Sequence, residues 1–377
     1  MKPKFKDIYK PIVRIGNKIR IGFESEALEI EDADKSVENF INALDGKKDL
    51  IGLSEGLGVP LDQIKEGITT FDEFNLLEDA DRVTNLSSEQ LDRYRANLNF
   101  FSNFSNLHNS NDFLQEKLIN SKVAILGIGG NSLIAANLAG MGVGKIIGLD
   151  YDKVELSNLN RQFLYSQEDI GKLKTQAAHE RLKKINNDVE IEMHNLKVTN
   201  SKELLTIIDE ADIIINGIDQ PPIMSSRWVN SACTYLKKTF LQGGVTNSRI
   251  VLQKIVPESS CFDCYLINSL QNVEGFENQL NDALDYNFSG RNTAYAPNIS
   301  LMASVFSTET SKSLLSLNKD EETSFTADIN NIENIEYNKY LIKKVNYCPT
   351  CSNSQLFSEP IPFNELTKIS RTEGVFS

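Results

Sequence analysis

The stretch Lys122–Lys174 opens KVAILGIGGNS (122–132), continues KIIGLDYDKVE (145–155) and LSNLNRQFL (156–164), and closes GKLK (171–174). Two apolar runs, VAIL and KIIGLD, are bounded by turn residues, and the small-residue segment Ser132–Gly140 lies between them. That pattern predicts strand, helix, strand. Gly127, Gly129 and Gly130 occupy the first strand-to-helix turn. Without Cβ atoms they let the backbone approach a phosphate, and the helix that follows points its free amides and positive dipole end at it. Asp150, 23 residues beyond Gly127, ends the second strand, where an acid accepts from ribose hydroxyls. Ser132 stands where a dinucleotide fingerprint has its third glycine. On the glycines alone, a nicotinamide site and a tight turn without ligand both remain open.

The residues downstream move the reading. Asn158, Arg161 and Lys174 are unnecessary to a nicotinamide site but suit a triphosphate under attack, because cations stabilise charge building on phosphoryl oxygens. Asp219 ends the apolar strand DIIINGID (212–219) at the same sheet edge, where a carboxylate holds Mg²⁺ between phosphate oxygens.

Working outward, strand–helix alternation continues through a helix over Lys172–Ile185 and the strand candidates VEIEMHNLKV (189–198), TFLQGG (239–244) and RIVLQKIV (249–256). The expected fold is α/β, a doubly wound Rossmann-like sheet with both faces covered, in a domain spanning residues 121–377. Past Val256 a polar loop over 265–298 and a helix over Ile299–Leu317 are expected, then an acidic, Asn-rich tail. In front, PIVRIGNKIRIGF (11–23) predicts two strands turning at Asn17, and ALEIED (27–32) a third. Ser36–Leu44, DLIGLSEGLG (49–58) and VPLDQIKEGITTF (59–71) predict three helices, the last two separated by Gly58. Residues 1–80 thus form a small winged-helix-like domain, joined by a helical linker over 81–120.

Bulk properties narrow the partners. With 377 residues and a net charge of −13, the chain lacks the clustered cations that hold nucleic acid backbones. No run of about 18 apolar residues exists, and the start lacks a signal-peptide core, so no membrane partner and a cytoplasmic location are expected. Four of the five cysteines form two CxxC pairs, Cys261/Cys264 and Cys348/Cys351, which in a reducing compartment means zinc before disulfide. The fifth, Cys233, lies in the apolar-patterned helix WVNSACTYLKK (228–238) and reads as a buried small hydrophobe.

Taken together, GxGG (127–130), DxDxVxxSNLxRQ (150–162), GKxK (171–174), Asp219 and the two CxxC pairs resemble the ubiquitin-activating-type (ThiF/MoeB/MccB) adenylyltransferase superfamily. The resemblance implies a homodimer that adenylates a carboxylate with ATP and Mg²⁺ and releases pyrophosphate. It implies that Gly127, Gly129 and Gly130 lie along the nucleotide and that Asp150 binds ribose. Asn158, Arg161 and Lys174 would bind phosphates, Asp219 would bind Mg²⁺, and the four cysteines would hold a structural Zn²⁺. Relatives carry RYxRQ or RYxRN, whose second Arg reaches the partner subunit's nucleotide. Here the text is Arg93-Tyr94-Arg95-Ala96-Asn97, with Ala96 at that place and Arg93 and Arg95 as the candidates to substitute for it.

The front domain resembles leader-peptide recognition elements, in which a leader adds as a strand beside the third strand (Ala27–Glu31) and packs against the helix near Leu61–Ile68. With no cysteine in the 265–298 loop, a thioester step is not expected. The closest resemblance is therefore to MccB-like enzymes acting on a ribosomally made precursor peptide, at a C-terminal or side-chain carboxylate, in the making of a microcin C-like peptide antibiotic. Two alternatives stand beside it: a ThiF/MoeB-type activator of a sulfur-carrier protein, and a non-catalytic partner that presents a leader peptide.

Overall fold

The computed structural model describes residues 1–22, 27–246, 249–285, 293–317, 323–330, 336–352 and 355–373, and the chain divides into the units Met1–Lys117 and Leu118–Ser377. The first begins with β1 (Pro3–Phe5), β2 (Val13–Ile15), β3 (Lys18–Ile21) and β4 (Leu28–Glu31), followed by α1 (Ser36–Ala43), α2 (Leu50–Leu57) and α3 (Leu61–Glu73). Then come β5 (Leu77–Asp79), α4 (Ser88–Arg93), α5 (Arg95–Phe101) and α6 (Asn111–Ile119), which runs across the division. Strands β2, β3 and β4 form an antiparallel sheet in that order, with β4 at an edge. The β2–β3 hairpin turns at Gly16, whose φ of +61° suits glycine. Asp49 caps α2, and Gly58 ends it at φ 65°. The apolar faces of the three helices (Ile41, Leu53, Ile64, Ile68, Phe71) bury against Phe5, Ile19 and Ile21. This is the winged-helix-like arrangement the spacing predicted.

The first unit extends beyond the boundary expected at residue 80. Lys6 is buried, and its ammonium donates to the carbonyls of Asn75, Ser102 and Ser105, each at 2.6 Å. Burial pulls its pKa down to about 8. Leu107 N–H donates to Asp72 at 2.7 Å, and Leu107 packs on the unit's core. These bonds fix the Ser/Asn-rich text that reads as linker, because its backbone carbonyls, not its side chains, do the binding.

The second unit runs β6 (Lys122–Leu126), α7 (Ser132–Met141), β7 (Lys145–Asp150), α8 (Lys174–Ile185), β8 (Glu190–Asn195), α9 (Lys202–Ile208), β9 (Ile213–Asn216), α10 (Met224–Leu236), β10 (Thr239–Thr246) and β11 (Arg249–Ile255). It ends with α11 (Phe262–Asn272), α12 (Phe276–Asp285), α13 (Ala296–Leu315), β12 (Phe325–Asn330), β13 (Glu336–Leu341) and α14 (Phe363–Glu373). The strands form one sheet in the order β13-β12-β11-β10-β9-β6-β7-β8. From β10 to β8 the pairings are parallel, and β11, β12 and β13 add antiparallel. The chain leaves β6 toward β7 and β8, then returns to β9 on the other side. The carboxyl ends of β6 and β9 therefore flank a topological switch point, where such sheets open a crevice. Among the described residues, no helix is long and apolar enough to cross a membrane.

One expectation is corrected. The 265–298 segment is largely helical, as α11 and α12, with 286–292 outside the described residues. Leu266 and Ile267 are buried, and Leu280 and Leu284 pack against the same core, a narrow apolar stripe that the polar majority conceals. The acidic, Asn-rich tail forms two strands, β12 and β13, with 318–322 and 331–335 outside the described residues. In β12 burial alternates residue by residue, whereas β13 is exposed throughout. An edge strand needs no apolar face, so EYNKYL carries little strand signal.

Between β7 and α8 the chain is held by one carboxylate. Asp169 is buried and accepts from Ser166 N–H at 2.9 Å, Ser166 Oγ at 3.0 Å, Lys172 Nζ at 3.0 Å and Arg181 Nη2 at 2.9 Å. Main-chain bonds from Val154 to Lys172, Gly171 to Val154 and Lys174 to Asp152, each 2.9 Å, then lay GKLK against DYDKV. Burial works to raise the Asp169 pKa, but the bonds from Lys172, Ser166 and Arg181 outweigh it and hold the carboxyl well below the usual range. An unfolded Asp takes up its proton near about pH 4. The stabilisation is thus fully present above that pH and is lost as pH falls through the lower folded value. Asp169→Asn should destabilise the second unit by roughly 3 kcal/mol at neutral pH. In urea melts, the gap from wild type should narrow steadily below about pH 4.

Candidate functional site

At the switch point lies a cavity of about 310 Å³. Gly127, Gly129, Gly130, Asp150, Asn158, Arg161, Lys174 and Asp219 all line it, so the sheet brings together every nucleotide-site residue named from the second unit's sequence. Gly127 takes φ +85°, and a Cβ there would stand 2.7 Å from the carbonyl oxygen of Gly217. The loops leaving β6 and β9 thus touch backbone to backbone, which only glycine permits. Gly130 differs, because a Cβ there would meet nothing within 4 Å. The open space lies in front of it.

Asp150 is buried, and its carboxylate braces the glycine loop. One oxygen accepts from Ile128 N–H at 2.9 Å and Gly129 N–H at 3.2 Å, the other from Asp152 N–H at 2.9 Å. A carboxylate accepts about four such bonds, so one position remains for a ligand hydroxyl. Burial pushes its pKa up, against the pull of the Lys174 charge. Asn158 accepts from Glu155 N–H at 3.0 Å, which fixes the turn beneath Arg161. Arg161 sits at the rim, half-buried, donating to the Ser157 carbonyl at 2.9 Å and Asn160 Oδ1 at 2.8 Å.

Lys174 is the first residue of α8, buried, with Nζ 2.9 Å from Asp152 Oδ2. A cation at a helix N-terminus opposes the dipole, and burial adds to the cost. Asp152 offsets both, and an incoming anion would do so again. Asp219 rides on the loop after β9, which is pinned by Gly217 N–H to Leu126 O at 2.7 Å and Ile218 N–H to Asn216 Oδ1 at 3.1 Å. Burial raises the pKa of Tyr151, and the carboxylates of Asp152, Asp219 and Asp150 raise it further while Lys174 lowers it. Three acids and a lysine therefore converge on one wall.

Asp152, the partner of Lys174, was not singled out from sequence, although the DxD text contains it. Gln162, buried on the cavity wall, has an unpartnered Oε1, and its signal was the RQ pair. Tyr151 and Lys197 meet at the mouth, with Lys197 Nζ 5.3 Å from the ring centroid. Their meeting depends on the β7–β8 register, Asp150 opposite Asn195, which no local pattern reveals. Arg93 and Arg95 belong to the first unit, at the end of α4 and the start of α5, and both are exposed. Arg95 pairs with Asp92, and buried Tyr94 separates the two helices.

Away from the cavity, the Sγ atoms of Cys261, Cys264, Cys348 and Cys351 lie within 4.8 Å of one another, all buried. The separations Cys261–Cys348 and Cys264–Cys351 are 3.5 Å, and Cys261–Cys264 is 3.9 Å. Tetrahedral zinc with bonds of about 2.3 Å requires sulfurs about 3.8 Å apart. The cluster fits a zinc site, and four thiolates leave no open position for chemistry. Cys233 is 0% exposed, and burial pushes its thiol pKa far up. It is a core residue of α10, not a poised nucleophile.

With this geometry in place, comparison with known proteins gives a consistent answer. The model of the ThiF family matches residues 94–352. The ubiquitin-like modifier-activating enzyme 5 of Dictyostelium discoideum is 36% identical over 164 residues, 40% of this chain and 42% of that protein. The adenylyltransferase and sulfurtransferase MOCS3 of Culex quinquefasciatus is 37% identical over 130 residues, 34% of this chain and 29% of that protein. The chain spans less than half the length of these curated relatives. Crystal structures of E. coli MccB, one with ATP and one with MccA-N7isoASN, superpose with a TM-score of 0.75 at 22% identity, covering 93% of this chain and 100% of MccB. PaaA superposes at 0.62 with 23% identity over 74% of this chain and 92% of its own. At those identities the structures establish the shared fold, and the match over residues 94–352 establishes the kinship: the chain belongs to the ThiF family.

Proposed function

We propose that this protein is an ATP- and Mg²⁺-dependent adenylyltransferase that activates a carboxylate of a ribosomally made precursor peptide, without a thioester intermediate. The observation that carries the reading is the cavity wall where Gly130 leaves open space while Lys174, Arg161 and the carboxylates of Asp150, Asp152 and Asp219 converge. In the proposed reaction a peptide carboxylate oxygen attacks the α-phosphorus of ATP. The bond to the β-phosphate oxygen breaks, pyrophosphate leaves, and an acyl-adenylate forms.

Each residue has a physical part in that step. The last acceptor position of Asp150 takes a ribose hydroxyl while its other bonds hold the glycine loop in shape. Lys174 exchanges Asp152 for phosphate oxygens, which relieves its position at a helix N-terminus. Asn158 and Arg161 contact the phosphates, and Arg161 follows charge onto the leaving pyrophosphate. Asp219 would hold Mg²⁺, which would neutralise charge on the phosphate oxygens. In a homodimer, Arg93 or Arg95 of one copy would serve the cavity of the other. The zinc cluster would be structural.

The peptide part of the reading rests on the first unit. Among the described residues β4 pairs only with β3, so its other edge is open to an added strand. A cavity of about 570 Å³ lies along α1 and α3, lined by Val37, Phe40, Ile64 and Phe71, ready for apolar side chains of such a strand. The crystal structures of MccB with MccA set a precedent for a peptide partner in this fold. A second reading, activation of a sulfur-carrier or ubiquitin-like protein, draws on the identity with the modifier-activating and MOCS3 relatives.

ATP–pyrophosphate exchange tests both. Exchange should appear with Mg²⁺ and a leader-bearing peptide, and not with a small carrier protein ending in Gly-Gly. Lys174→Ala and Arg161→Ala should each lower it by about 10²-fold or more, and Asp219→Ala should remove its response to Mg²⁺. Peptide binding without exchange would make the protein a presenter instead. Amidating the peptide C-terminus tells a terminal carboxylate from a side-chain one.

The buried thiol makes a separate prediction. Cys233→Ala should leave exchange intact, and no thiol-sensitive peptide adduct should form in wild type. Loss of exchange in a folded Cys233→Ala protein would contradict the mechanism.

A further inference from the structure

One helix carries side chains to both the Asp219 loop and the zinc cluster. Near the start of α10, Ser225 Oγ donates to the Ile218 carbonyl at 2.9 Å, inside the loop that bears Asp219. Two residues on, Arg227 is fully buried, yet charged. Its Nε donates to Asp263 Oδ1 at 2.8 Å, its Nη2 to Asp263 Oδ2 at 3.1 Å, and its Nη1 to the Ile361 carbonyl at 2.7 Å. Asp263 also accepts from Thr350 Oγ1 at 2.7 Å. One turn further, Asn230 Oδ1 accepts from Phe262 N–H at 2.7 Å.

The placement of these partners is the point. Asp263 lies within the first cysteine pair, CFDC, and Thr350 within the second, CPTC. Each metal-binding turn therefore contributes its inner residue to a single bidentate ion pair with Arg227. A zinc ion held by the four cysteines would fix Asp263 and Thr350, which hold Arg227, and Arg227 holds the start of α10. A buried bidentate pair tolerates little displacement, because separating its members leaves uncompensated charge.

The loop at the other end is under tension. Ile223, just before α10, has φ +64° and ψ −50°. For a β-branched residue that is a sterically costly conformation, which persists only where the surroundings impose it. Here they include Met224 N–H to Pro222 O at 2.6 Å and Ser225 N–H to Pro221 O at 3.1 Å. A turn strained at one end and anchored at the other stores the loop in one position. Released at Arg227, it would relax, and Asp219 would move with it.

We propose that Arg227 is a positioning residue that couples the four-cysteine zinc site to the Asp219 loop, so that zinc retention and nucleotide binding strengthen each other. The coupling rests on the reading of the cavity as an ATP site. A pair that merely glued α10 to α11 would stabilise the fold without linking the two ligands. Coupling between sites is reciprocal, so it must appear in zinc release as well as in nucleotide affinity.

The test uses the full-length zinc-loaded protein. Zinc transfer to a chromophoric chelator is timed with and without Mg²⁺ and a non-hydrolysable ATP analogue, and analogue affinity is measured separately by calorimetry. In wild type the analogue should slow zinc transfer about 5-fold or more. The paired replacement Arg227→Met with Asp263→Leu keeps apolar volume, removes both buried charges and is therefore compatible with folding. In that variant the analogue should no longer alter zinc transfer, and its affinity should fall by the factor lost. Thr350→Val, a milder change, should lose part of the effect. If the analogue binds wild type but zinc transfer does not respond, the coupling is overturned and the nucleotide reading stands. If the analogue does not bind at all, both fall. A paired variant that keeps the full response would remove Arg227 from the path.

Discussion

Two main chains approach each other at the centre of the second unit, and the cavity depends on that approach. Gly127 and Gly217 leave the carboxyl ends of β6 and β9, neighbours in the sheet although 90 residues apart in sequence. With a Cβ at Gly127 only 2.7 Å from the Gly217 carbonyl, a larger residue would push the two exits apart. The exits set where Gly130 faces open space and where the Asp219 loop begins. Asp150 completes the frame from the adjoining strand by gathering the amides of Ile128 and Gly129. A residue expected to bind a ligand is thus first a brace for the loop beside that ligand.

The charges around this frame would suit an anion. Lys174 is buried at the positive end of α8, a position that costs free energy on two counts. Asp152 holds it there, and the Asp169 network holds the segment that delivers it. Nothing about the fold requires an ammonium at that point, since an uncharged residue would begin α8 more readily. The observation that explains the expense is the cavity in front, with Arg161 at its rim and Asp150, Asp152 and Asp219 on its wall.

Much of this was legible from the sequence because its causes are local. The glycine turn, the apolar strands ending on Asp150 and near Asp219, and the SNLNRQ and GKLK texts pick out residues that the fold brings to one cavity. The CxxC pairs likewise announce a metal, since sulfurs three residues apart meet on one turn. What was hidden depends on non-local pairing. The exposed β13 needs only a neighbour, not an apolar pattern. α11 and α12 conceal a thin apolar stripe under polar residues, and Lys6 binds carbonyls that every residue possesses. The Arg227–Asp263–Thr350 contact joins three segments, the last two 87 residues apart. Reading it requires the fold.

That contact also gives the zinc cluster a place in the architecture. The antiparallel strands β11, β12 and β13 extend the sheet on the side away from β7 and β8, and in the chain the first cysteine turn follows β11 while the second follows β13. Closing Cys261 and Cys264 against Cys348 and Cys351 ties the stretch from α11 to the last strand into one loop, which limits the freedom of the segment that also contributes Ala294 and Ile299 to the cavity. The same closure presents Asp263 to Arg227 at the start of α10. A metal held there with no open coordination position could therefore act on the cavity only by geometry. Two routes lead from the cysteine turns to the cavity, the wall formed by 294–299 and the turn formed by 217–223, and the second passes through the buried Arg227–Asp263 pair.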